Sequence, residues 1–179
     1  VDAFKAMSIP ATRAYRPVIE KALASPNPKV VWNAAFDNPR LQGKGFTING
    51  LIYDGMLAWH VLHSDLPKSL GFVASMLLTD QTRWKHLNRE SPAYYNAVDS
   101  DVALRITHRT WTLLREVGMW DLYKAQVVDM EPIYLHMHKK GMPVDAKVRL
   151  QHATFLQAEF AKTHTQFTPI LPEALVPTK

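Results

Sequence analysis

Apolar residues along the chain fall into short blocks whose period changes several times. In residues 11–25, ATRAYRPVIEKALAS, Val18, Ile19, Ala22 and Leu23 recur at helical spacing and predict an amphipathic helix closed by Pro26-Asn27-Pro28. The β-branched run in KVVW, residues 29–32, predicts a buried strand, and NAAFDNPRL a turn into a short helix over 33–41. A Gly-punctuated loop, GKGFTING, then leads to a second strand at 51–53 and a helix over 55–62.

Beyond this point SLGFVASMLL predicts another short helix and TDQTRWKHLNRE a polar loop. A long helix starts at Pro92, a position proline tolerates, and runs to residue 117, where Gly118 breaks it. A further helix over 122–140 ends at the Gly-x-Pro of GMPVD, and a last one covers 146–164. Strands alternate with helices up to about residue 118, and only helices follow. The change predicts an α/β portion over 1–120 and a helical portion over 121–179, without internal repeats.

Composition narrows the class more than it identifies a partner. The 179 residues, 47% hydrophobic and 21% charged, suit a folded chain with a real core and argue against wholesale disorder. No apolar run approaches the roughly 20 residues that cross a bilayer, so no membrane partner is expected, and the opening lacks the layout of a signal peptide. Without cysteine, disulfides and thiolate metal sites are excluded, which fits a reducing, cytoplasmic setting. A net charge of +5 is compatible with nucleic acid but is weak support by itself. The non-Met start and the proline-rich ending suggest an internal piece of a longer protein.

Two constellations could carry chemistry. Asn33 and Asp37 follow the first strand, where side chains project from a sheet edge, a common place for an active site and equally for a helix cap. Tyr95 and Asp99 lie four apart on the long helix, on a face that Val102 and Ile106 continue. Taken alone, that pair reads as a core tyrosine and a solvated aspartate.

In order, Asn-x-x-Phe-Asp after a strand and Tyr-x-x-x-Asp on a helix about sixty residues later resemble the second and third motifs of the DEDD-type 3′–5′ exonucleases. The intervening IYDGMLAWHVLHSDLPKSLGFVASMLL looks like the corresponding stretch in the proofreading domain of family A DNA polymerases, and DMEPIYLHMHKKGMPVD like the entry to their polymerase domain. The resemblance covers about residues 28–145 and looks phage-type. It implies an RNase H-like α/β exonuclease fold with its first strands missing, followed by helices.

It also implies two-ion hydrolysis of the 3′-terminal phosphodiester, with magnesium, or manganese in its place, held by carboxylates. Asp99 would hold the ion carrying the attacking water, Tyr95 would orient that water, and Asp37 would help hold the second ion. Asn33, with Phe36 beside it in the motif, would meet the departing strand end. The implied partners are a single-stranded DNA 3′ end, primer-template DNA and the rest of the polymerase chain, in a bacterial or phage-infected cytoplasm. A tyrosine at position 95 places the resemblance in the DEDDy subgroup.

The family's first motif, Asp-x-Glu on a strand, is absent: only Asp2 and Glu20 precede Asp37. Either the segment begins after that motif, or the domain is a degenerate module that keeps the fold and binds DNA without catalysis. An exoribonuclease resembling RNase D is a further alternative.

Trp84, between Arg83 and Lys85, could stack on an unpaired base while Lys85 holds phosphate, or could anchor the core. Asp54 reads as the cap of the 55–62 helix and Asp101 as structural. His60 and His63 read as a packed or surface pair before metal ligands, and His136 and His138, two apart and so on different helix faces, as part of a solvated basic end that could touch phosphate.

Overall fold

The computed structural model describes residues 6–80 and 83–170. Asp2 and the end of the proline-rich tail lie outside the described residues. The chain divides into two compact units, residues 1–140 and 141–179.

The first unit is mixed α/β and mostly helical. Helix α1 (Arg16–Ala24) leads to β1 (Lys29–Val31), α2 (Ala34–Gly43), β2 (Ile52–Asp54) and α3 (Gly55–Leu62). Among the described residues the sheet has two strands, paired in parallel with Lys29 opposite Ile52, Val30 opposite Tyr53 and Val31 opposite Asp54. Lys29 also closes the turn before β1, its Nζ donating to the carbonyls of Ser25, Asn27 and Asn49. The RNase H-like expectation asks for more strands than these two.

Helix α4 (Leu70–Leu77) and a 3-10 turn, Lys85–Asn88, precede α5 (Pro92–Glu116), the backbone of the unit. Val102 and Ile106, on the stripe predicted from Tyr95 and Asp99, are fully buried. They pack with Trp59, Leu70, Val73, Ala74 and Trp84 in the main core. Helix α3 packs against α5 closely enough that a Cβ on Gly55 would fall 2.1 Å from Thr107 Oγ1. The α5 stop at Gly118 is also as expected, with a positive φ of 72° that glycine adopts without strain.

The single helix expected over 122–140 is instead three pieces. A short α6 (Trp120–Tyr123) passes into a π turn, Lys124–Val128, and α7 (Glu131–Lys140) starts afresh. Pro132 gives the reason: inside a continuous helix its ring would meet the carbonyl four residues back and its missing N–H would break the ladder, whereas in the first turn both problems vanish. This segment belongs to the first unit, since Tyr123 and Val128 are buried with Ala58 and Leu114 in a second core cluster.

In the second unit α8 (Ala146–Phe167) is capped by Asp145, whose Oδ1 accepts from the N–H groups of Lys147 and Val148 at 2.9 and 3.0 Å. A 3-10 turn, Thr168–Ile170, follows it. No described helix is long and apolar enough to cross a membrane.

Candidate active-site cleft

The C-terminal ends of β1 and β2 share one carboxylate. Asp54, 2% exposed, accepts at Oδ1 from the N–H groups of Met56 and Leu57, which caps α3 as its sequence position predicts. The same side chain also takes N–H groups from the start of α2, Asn33 at 3.1 Å and Ala34 at 2.7 Å. Asp54 therefore gathers the donors of two helix N-termini, an arrangement their dipoles favour. Burial raises its carboxyl above the usual range, although the four N–H groups pull it back. Asn33, which initiates α2, sits in the left-handed region at φ 71°, a conformation asparagine tolerates better than most residues.

This anchoring fixes α2 beside a cleft of about 710 Å³. Its lining includes Val30, Val31 and Trp32 from β1 and its end, Asp37 of α2, Lys85, and Asp99, Ala103 and Leu104 of α5. Neighbouring strand residues face opposite ways, so a cleft lined by both Val30 and Val31 runs along the strand edge. Asp37 and Asp99, sixty-two positions apart in sequence, thus face one space. Partial burial raises the Asp37 carboxyl, Arg40 opposes the shift and the Asp54 charge adds to it.

Around Asp99 the sequence-predicted residues form a connected group. Its Oδ1 accepts from Trp84 Nε1 at 2.5 Å and from Lys85 Nζ at 2.7 Å. Lys85 Nζ also donates to the Tyr95 hydroxyl at 3.1 Å and lies over the Trp84 and Tyr95 rings. The sequence placed Tyr95 with Asp99 by helical spacing, but the link through Lys85 needed the fold of the 83–88 loop.

Trp84 is corrected in its role. At 5% exposure it packs in the main core, so its faces are not open to a base, and the core-anchoring alternative describes it. What it offers the cleft is its indole N–H. Lys85 is bound to a carboxylate here rather than presented freely to phosphate. Phe36 is half exposed, with the Arg40 guanidinium 3.4 Å from its ring centroid, so one aromatic face is already covered.

The donor chemistry suits a hard divalent ion: magnesium is commonly held by one or two carboxylates with water and substrate phosphate completing its shell. Asp37 and Asp99 are such oxygen donors on one cleft. No group of three or more His, Asp or Glu side chains is placed to hold a metal among the described residues. His63 packs on the Trp59 ring, and Asp101 pairs with Arg105 on α5.

Compared with protein-family models and with curated proteins, the chain matches none.

Proposed function

We propose that this chain carries part of a 3′–5′ exonuclease site acting on single-stranded DNA ends, as in the proofreading domain of a family A DNA polymerase. The observation that supports it is that Asp37 and Asp99, from the two sequence constellations, line one cleft together with Lys85, and that Lys85 joins Asp99 to Tyr95. Asp37 and Asp99 would hold magnesium, which when bound supplies an activated water and neutralises the leaving 3′ oxygen. Tyr95 accepts a hydrogen bond from Lys85, which leaves its own O–H proton to orient a water at the scissile phosphate. Trp84 fixes the Asp99 carboxylate so that it meets that water in one orientation. Asn33 begins α2, four residues before Asp37, and would contact the strand end.

A second reading is a nucleic-acid-binding module without catalysis. It is favoured by the same Lys85 contact, which already neutralises one of the two carboxylates. The test is digestion of single-stranded DNA from its 3′ end with magnesium by this chain, by a form extended at its N-terminus, and by the extended Asp99→Ala form. Digestion that the substitution abolishes supports the nuclease; retained DNA binding without digestion in the extended form favours the module.

A further inference from the structure

Asp99 Oδ1 holds two donors, and only one of them can leave. The Trp84 indole is buried at 5% exposure and cannot move without opening the core, whereas the Lys85 side chain is 43% exposed and ends a flexible four-carbon stem. An sp² carboxylate oxygen offers about two lone-pair directions, so Trp84 and Lys85 together fill Oδ1. A cation approaching that oxygen must take the position of the ammonium. The rest of the cleft points the same way: Asp37 and Asp99 line it together, Lys85 offsets Asp99 and Arg40 acts on Asp37, so a strand phosphate gains a free cation there only when Lys85 is released.

We propose that Lys85 is an exchangeable counter-ion. It holds Asp99 and Tyr95 together while no divalent cation is bound, and it passes to the phosphate backbone of an incoming single strand when a cation takes over Asp99. The inference rests on the exonuclease reading and adds a control to it: cation and strand enter in a coupled exchange, because the arriving ion releases the group that grips the strand. A lysine suits this task, since its ammonium is a compact charge that rotates freely and makes no planar, two-pronged bond to the carboxylate.

The experiment is manganese binding followed by electron paramagnetic resonance, with binding of a short oligothymidylate carrying a phosphorothioate at its 3′ end, for this chain and its Lys85→Met form. The variant should bind manganese about fivefold more tightly, because a repelling ammonium is gone. Manganese should strengthen oligothymidylate binding by the parent chain, and the variant should lose that gain. Unchanged or weaker manganese binding by the variant, no manganese binding by either form, or an undiminished gain in oligothymidylate binding overturns the proposal. Asp99→Asn separates the two ideas: if it leaves manganese binding intact, Asp99 is not an ion ligand and the exonuclease reading falls. If it abolishes binding while Lys85→Met matches the parent chain, only the counter-ion falls.

Discussion

Ala34 and Asp54, twenty residues apart, are joined by a 2.7 Å hydrogen bond from the Ala34 N–H to Asp54 Oδ2. It ties the start of α2, and with it Asp37, to the end of β2. Asp54→Ala leaves four buried or half-buried N–H groups without this acceptor and should lower stability by about 3 kcal/mol. Asp54→Asn keeps one acceptor oxygen and should cost about half as much. Urea unfolding of the two variants measures both, and equal costs would mean that the oxygen kept in asparagine contributes nothing.

The same side chain sets a pH dependence with a definite sign. Burial holds the Asp54 carboxyl above its ordinary value of 3.8, so the folded chain keeps a proton that the unfolded chain has released. Its contribution to stability is fully present below 3.8 and is lost as pH rises through the raised folded-state value. The advantage of the parent chain over Asp54→Asn should therefore be larger at about pH 3 than at about pH 7. In a carboxyl titration followed by NMR, Asp37 should also titrate above the ordinary range. Asp80, which accepts from Arg105, should titrate below it.

Gly55 marks where α3 and α5 touch. Gly55→Ala sets a methyl group against Thr107 Oγ1 and should cost about 1–3 kcal/mol. Adding Thr107→Ala should recover part of that loss, because the nearest colliding atom is gone; a purely additive double variant would place the strain elsewhere.

Asn38 donates from Nδ2 to Glu131 Oε1 at 2.8 Å, linking α2 to α7 across ninety-three positions of sequence. Asn38 is 3% exposed, so Glu131→Ala strands a buried amide and should destabilise by about 1–3 kcal/mol. Thermal unfolding of Glu131→Ala beside Glu131→Gln checks it, since glutamine retains an acceptor oxygen.

If the exonuclease reading holds, Tyr95→Phe in the N-terminally extended form should slow 3′-end digestion by about 100-fold while leaving oligothymidylate binding nearly unchanged. A parallel loss of binding would assign the hydroxyl to holding DNA instead of positioning water.

Much of this arrangement was legible in the sequence where local chemistry decides it. The β-branched pair Val30-Val31, Pro92 before a long apolar stripe and Gly118 each locate an element or its boundary from their own backbone preferences. The 122–140 segment misled because its apolar residues keep helical spacing through Pro132. The second role of Asp54 was illegible for another reason: its partners are backbone N–H groups, which every residue has and no pattern marks. Lys85 looked like a free cation beside an aromatic, and only the burial of Trp84 reveals that the loop turns it onto Asp99.

The open edge of β1 bears on how the molecule behaves in company. Among the described residues β1 pairs only with β2, and such an edge is a template on which a second copy could add a strand. Asp37, Asp99 and Lys85 border the cleft along it. Two copies meeting edge to edge would bury the Asp37 carboxylate and the Asp99–Lys85 ion pair and strip them of water. The groups assigned here to catalysis would then also act as gatekeepers against aggregation, and neutralising them together would cost solubility as well as activity.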